Sequence, residues 1–265
     1  MTIRVGIGGW TYEPWRGTFY PPGLAQKREL DHASRRLTSI EINATFYGAQ
    51  KPASFARWRD ETPDGFVFAV KGPRFATQRP KLAEAAPSIE RFFTTGVLEL
   101  GDKLGPINWQ LPPFKRFEPD DFAAFLALLP PSVEGRVIRH AVEVRHASFR
   151  DPALIPLLRE KDVAVVLTDA EKYPNINDVT APFVYARLQR SAEHEADGYP
   201  PAALDQWAAR AESWAGGAVP DDLPLLAEPE TAAPHGRDVF IFVIDGFKPK
   251  APAAAEGLIR RLREK

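Results

Sequence analysis

The sequence predicts an α/β fold, a closed (β/α)8 barrel of parallel strands occupying residues 1–265 as one domain. Three observations predict it. Eight short apolar segments recur along the chain, and stretches of helical period separate most of them. Such alternation argues for parallel strands joined by crossovers. Several strand segments also keep polar side chains on one face near their carboxyl ends, as barrel positions opening into a site require. With 265 residues, 44% of them hydrophobic, the chain can bury a large core.

The expected strands are Ile3–Gly8, Ser39–Asn43, Phe66–Lys71, Pro106–Leu111, Arg139–Arg145, Val163–Thr168, Phe183–Leu188 and Asp238–Ile244. In Ala141-Val142-Glu143-Val144-Arg145 a period of two puts the valines on one face and Glu143 with Arg145 on the other. The same rule sets Glu41 and Asn43 opposite Ile40 and Ile42, and groups Val67, Ala69 and Lys71. The expected helices are Gln26–Arg36, Ala53–Glu61, Pro87–Leu100, Pro119–Leu129, Pro152–Lys161, Ala202–Ala215 and Ala253–Arg263. Asp151-Pro152 carries an acceptor followed by proline, a helix-start signal. Between strands six and seven, Asp169 to Pro182 is rich in Asn, Asp and Pro and too short for a full helix, so a helix is missing or reduced there. Gly216 to Arg237, rich in Pro, Ala and acidic residues, reads as a mobile excursion inside the domain. Trp207 and Trp214, seven apart with Leu204 and Ala211, read as a core-facing helical stripe.

Composition excludes several functional classes. A net charge of −1 gives no global attraction to nucleic acid or anionic membranes. The absence of cysteine rules out disulfides, thiolate zinc sites and cysteine nucleophiles. Ile3 to Ile7 contains Arg4 and runs into Gly8-Gly9-Trp10, unlike a secretion signal, and no stretch nears the roughly 20 apolar residues of a membrane span. A cytoplasmic protein without membrane association is expected. GxSxG, HExxH and phosphate-cradling glycine loops are absent from the sequence.

In a barrel of this register, Gly8, Glu41, Asn43, Lys71, Asn108, Gln110, Glu143, Arg145, Asp169, Arg187 and Asp245 point inward near the strands' carboxyl ends. Buried charges need partners, so this set is either a structural ion network across the mouth or a site completed by a ligand. Glu41 and Glu143, on the second and fifth strands, are the catalytic acid/base candidates, with the alternative of acid and nucleophile at a glycosidic bond. Lys71, Arg145 and Arg187 form a basic anion-binding group, and Asn43 and Gln110 can orient hydroxyls. Trp10, Tyr12 and Tyr47 belong to aromatic loops on the same face, where rings can stack on a substrate or plug the loops together. No cofactor is expected. A divalent metal is not favoured, because only His146 of the five histidines adjoins a strand end and the three cations would repel the ion.

A family resemblance rests on longer runs. Gly8-Gly9-Trp10-Thr11-Tyr12 with Trp15-Arg16-Gly17-Thr18-Phe19-Tyr20-Pro21, Glu41-Ile42-Asn43-Ala44-Thr45-Phe46-Tyr47 and Phe68-Ala69-Val70-Lys71 resemble the YecE-like family, domain of unknown function 72. Gln110-Leu111-Pro112-Pro113, Val142-Glu143-Val144-Arg145-His146 and Tyr185-Ala186-Arg187-Leu188 agree with it in order. The resemblance covers nearly the whole chain and implies a TIM-type barrel, grouped loosely with sugar-isomerase-like barrels, without implying a reaction. The chain departs from the family pattern at Gln78, at Gln189-Arg190 and at Ile244-Asp245.

Two functional readings follow. One is an enzyme, a hydrolase or an isomerase/lyase, acting on a small anionic sugar-like or phosphorylated compound. The other is a non-catalytic module that binds nucleotides or single-stranded nucleic acid through the aromatic loops and basic pocket, against which the near-neutral charge counts.

Overall fold

The computed structural model describes residues 1–229, 233 and 235–264. Eight parallel strands close into a barrel: β1 (Ile3–Gly8), β2 (Ser39–Ile42), β3 (Val67–Lys71), β4 (Leu104–Gln110), β5 (His140–Glu143), β6 (Ala164–Thr168), β7 (Phe183–Leu188) and β8 (Asp238–Val243). Each strand pairs with its sequence neighbours, and β8 returns to β1 with Ile3 opposite Val239. Among the described residues, seven helices of seven residues or more flank it: α1 (Glu29–Arg36), α2 (Pro52–Asp60), α3 (Ala86–Thr94), α4 (Pro119–Ala127), α5 (Leu154–Glu160), α6 (Pro201–Ala215) and α7 (Ala251–Arg263).

The differences from the expected boundaries have local causes. The helix expected over Pro87–Leu100 stops at Thr94, because Gly96 takes φ 100° and Val97–Lys103 continues as 3-10 turns broken at Gly101, whose φ is 58°. Gln26–Arg28 is likewise a 3-10 turn before α1. Asp151 accepts from the Ala153 N–H at 2.9 Å, and the helix proper starts at Leu154. Sequence reading misses the one-turn helices Ala44–Tyr47 and Arg74–Thr77 and a hairpin of Ser132–Val133 and Arg136–Val137. The hairpin's turn residues Glu134 and Gly135 have φ of 51° and 77°, the signs a two-residue hairpin turn requires. Residues 169–182 contain no helix, as their composition implies.

Two apolar layers result from the period-two pattern. Facing outward, Ile7, Ile40, Ile42, Val142 and Val184 join the helices in one large core that also takes in Trp207 and Trp214. The lumen is filled by Val67, Ala69, Ala141, Ala164, Val166, Phe183, Tyr185, Phe240 and Phe242. Of the expected excursion Gly216–Arg237, positions 230–232 and 234 lie outside the described residues. The part before them is fastened down: the Asp178 carboxylate accepts the Leu226 and Ala227 N–H groups, each at 2.9 Å.

Candidate functional site

Strand register sets the site. At the carboxyl ends Gly8 stands opposite Glu41, Lys71 opposite Asn108, Gln110 opposite Glu143 and Thr168 opposite Arg187. On β7 and β3 the polar residue follows apolar ones in the same inward phase, as Phe183 and Tyr185 precede Arg187 and as Val67 and Ala69 precede Lys71. A greasy plug therefore fills the lower lumen, and a layer of ionisable groups lies on top of it.

Arg187 is the hub of this layer, and its side chain is 2% exposed. Its Nη2 donates to Glu41 Oε1 at 3.0 Å, and its Nη1 pairs with Glu143 Oε2. Glu41 Oε2 also accepts the Tyr185 hydroxyl at 2.5 Å and Asn108 Nδ2 at 3.3 Å. Glu143 Oε1 accepts from Arg145 Nε at 2.7 Å. With Glu41 at 0% and Glu143 at 1%, both carboxylates are closed off from water and filled by donors. Among the described residues, Arg187 Nε and Asn108 Oδ1 are buried without a hydrogen-bond partner.

Toward the mouth stand Lys71, Gln110 and Arg145. Gln110 Oε1 accepts from Lys71 Nζ at 2.7 Å and from Arg145 Nη2 at 2.9 Å, while Arg187 Nη1 approaches at 3.4 Å. Lys71 Nζ also lies 4.0 Å from the centre of the Phe46 ring, a cation–π contact. Arg145 stacks on Tyr173 at 4.5 Å and donates to its hydroxyl at 3.2 Å. Arg145 is the most open of the ionic group, with 16% side-chain exposure.

Electrostatics separates the members. Burial alone would raise the Glu143 carboxyl, but Arg187, Arg145 and Lys71 overcome it and bring its pKa down to about 2. Burial, aided by the Arg187 charge, lowers the Lys71 ammonium to about 8 against the pull of Glu41 and Glu143. Burial would also lower Arg187, yet its two carboxylates hold it above its ordinary value. Burial and then the Glu41 charge raise the Tyr185 phenol, so it stays a donor. Formally the layer holds three cations against two carboxylates.

The structure thus gathers Glu41, Lys71, Gln110, Glu143, Arg145 and Arg187 into one network. It does not link the other sequence candidates to that network. Asn43 packs over Gly8, where an added Cβ would fall 2.8 Å from its Nδ2. Trp10 packs edge-on against Trp58 at 5.2 Å. Tyr12 packs against Trp15 at 5.1 Å, beneath Lys248, and Tyr47 is 65% exposed. Trp15 and Tyr20 are buried and serve as the loop plug. Sequence reasoning left out Tyr185 and Tyr173; the signal for Tyr185 was its place two residues before Arg187 in the inward phase.

Gln189, Arg190 and Asp245 line a separate polar cleft of about 460 Å³ with Glu171 and Lys172. Beneath it, Asp169 accepts the Tyr199 hydroxyl at 2.7 Å and the Gln189 N–H at 2.6 Å. Burial raises the Asp169 carboxyl, and the Tyr199 hydrogen bond opposes that shift. Among the described residues, no group of three or more His, Asp or Glu side chains is placed to hold a metal ion.

Comparison with known proteins assigns the family. The model described as "Protein of unknown function DUF72" matches residues 4–265. The chain belongs to the DUF72 family. It is 29% identical to the UPF0759 protein YecE of Escherichia coli strain K12 over 147 residues, 56% of this chain and 50% of YecE. It is 28% identical to the UPF0759 protein YunF of Bacillus subtilis strain 168 over 117 residues, 42% of this chain and 40% of YunF. The chain thus matches half or less of the length of these curated relatives. A DUF72 family crystal structure from Thermotoga maritima superposes with TM-score 0.75 at 18% identity, covering 100% of both chains. D-psicose 3-epimerase superposes with TM-score 0.52 at 11% identity, covering 100% of this chain and 96% of the epimerase. These structural likenesses show a TIM barrel, and no helix among the described residues is long and apolar enough to cross a membrane.

Proposed function

We propose that this DUF72 protein is an enzyme acting on a small anionic, sugar-like or phosphorylated compound bound at the carboxyl ends of β3, β4 and β5. The observation that carries this reading is the surplus cation at the mouth: Lys71 and Arg145 both donate to one oxygen, Gln110 Oε1. Each ammonium and guanidinium retains donors beyond those bonds, and Gln110 Nε2 has no protein partner among the described residues. An anionic oxygen that replaces Gln110 Oε1 gains both cations, while the freed amide turns to a substrate hydroxyl.

In this reading the acid/base pair suggested by the sequence takes a holding role instead. Glu143 is ionised at neutral pH and locked by two guanidiniums, so it is no general acid there. Glu41 and Glu143 act by fixing Arg187 and Arg145 in place. A substrate proton reaches either carboxylate only by displacing a donor. Lys71, lowered to about 8, is the group poised to give or take a proton near neutrality.

A panel of sugar phosphates and sugar acids, screened by thermal unfolding, tests the proposal. A ligand held at 100 times its dissociation constant adds about 2.7 kcal/mol and raises Tm by several degrees. The reading predicts such a shift for at least one anion and none for its neutral sugar. A panel without any shift overturns it.

A further inference from the structure

A second cavity lies outside the ionic layer, between the turns Ala44–Tyr47 and Arg74–Thr77 and helix α3, with a volume of about 520 Å³. That size suits a small organic ligand, since ligand pockets run to roughly 300–1,000 Å³. Its floor is apolar, built on the buried rings of Phe55 and Phe92 with Pro73 beside them. Phe75 lies in its lining yet is 60% exposed, a large ring left against water. Two guanidiniums complete the lining, Arg79 and Arg91, and no carboxylate does.

Arg79 is oriented by neutral groups, donating to the Phe75 carbonyl at 3.1 Å and to Ser88 Oγ at 3.0 Å. Among the described residues, Arg91 forms no side-chain hydrogen bond and neither guanidinium has an ion pair. Several surface arginines are paired, as Arg28 and Arg35 are with Asp31, whereas these two are not. The cavity thus combines an aromatic floor and an exposed ring with two uncompensated positive charges.

We infer that this cavity is a binding site for a planar aromatic anion, a ring carrying one carboxylate or phosphate group. The ligand's ring packs on Phe75 and Phe92, and its anionic group meets Arg79 and Arg91. Thr45 lines the cavity and donates through Oγ1 to the Lys71 carbonyl at 2.7 Å, while Phe46 carries the Lys71 ammonium on its ring. None of Lys71, Gln110, Arg145 and Arg187 lines the cavity, so occupancy here does not require a ligand at the barrel mouth.

Calorimetric titration with phenyl phosphate tests the site, with inorganic phosphate and phenol as the separated halves of that probe. Saturable binding is expected at about 1 mM or tighter, with each half at least about tenfold weaker. Arg91→Ala and Phe75→Ser, both at exposed positions, are each expected to weaken phenyl phosphate about tenfold. Lys71→Ala is expected to leave the affinity within about twofold. The inference is overturned if phenyl phosphate does not bind, or if Arg91→Ala and Phe75→Ser bind as the wild type does. Binding lost in Lys71→Ala but kept in Arg91→Ala also overturns it, by placing the probe at the mouth. The sugar-phosphate reading is judged by different ligands and stands or falls separately.

Discussion

Arg187 and Glu41 meet at 3.0 Å inside the barrel although they stand 146 residues apart, one on β7 and the other on β2. The contact crosses the lumen, so it ties opposite walls together where the apolar plug ends. Its partner ion pair with Glu143 makes the guanidinium a two-way bridge. Removing one member of such a set leaves a buried charge without compensation, which costs far more than the intact set contributes.

Glu143→Gln should therefore destabilise the protein by about 3–5 kcal/mol at pH 7. The pH dependence has a definite sign. The folded carboxyl titrates at about 2 against an ordinary 4.5, so its contribution is complete above pH 4.5 and is lost as pH falls toward 2. Urea unfolding at pH 7 and pH 3 checks this. The gap between variant and wild type should narrow at the lower pH, and equal stability at pH 7 would argue against the ionic hub.

Tyr185→Phe removes the hydroxyl that donates to Glu41 Oε2 at 2.5 Å without changing the ring that packs on Phe242. The cost should be about 1–3 kcal/mol, because a buried acceptor loses a donor. Chemical denaturation measures it, and a loss below about 0.5 kcal/mol would show that Glu41 finds another donor.

His140 offers a test away from the mouth. The Trp109 Nε1–H donates to His140 Nδ1 at 3.0 Å, which leaves Nε2 as the protonated nitrogen, donating to the Pro130 carbonyl at 2.8 Å. Burial lowers its pKa to about 4 from 6.5. The unfolded chain takes up a proton below pH 6.5 and the folded chain does not, so stability should fall between pH 6.5 and 4. An NMR titration of the imidazole should show no protonation above pH 5, and a midpoint near 6.5 would contradict the buried neutral ring.

Lys71 runs the other way. Its ammonium is held at about 8 rather than 10.5, so the fold bears a cost below pH 8 that is relieved as pH rises toward 10.5. Lys71→Met should leave stability at pH 7 unchanged or raise it by about 1 kcal/mol while abolishing sugar-phosphate binding at the mouth. A strongly destabilised variant would identify Lys71 as a structural tie.

Most of the barrel was legible because two periodicities carry it. Strands β1 and β7 match the expected bounds, and the lumen phase places Glu41, Lys71, Glu143 and Arg187 together. Helix ends were less legible: Gly96 cuts α3 by taking a backbone conformation that the apolar pattern does not encode. The short hairpin at Ser132–Val137 has too few residues to show alternation. Within the site, residue types could be read but not their pairing. Whether Arg187 meets carboxylates or solvent depends on side-chain reach across the lumen, and that reach also decided the place of Tyr185. The aromatic residues were ambiguous because a ring has the same signature in a plug and on a binding face. Tyr12 and Trp10 proved to be packed among other rings.

The surplus positive charge at the mouth is tested most directly by calorimetry of a sugar phosphate against the wild type and Lys71→Met at pH 7 and pH 9.5. Binding should be saturable for the wild type at pH 7, at least about tenfold weaker at pH 9.5 where Lys71 is neutral, and absent from the variant at both. Equal affinity for wild type and variant, unchanged between the two pH values, would contradict it.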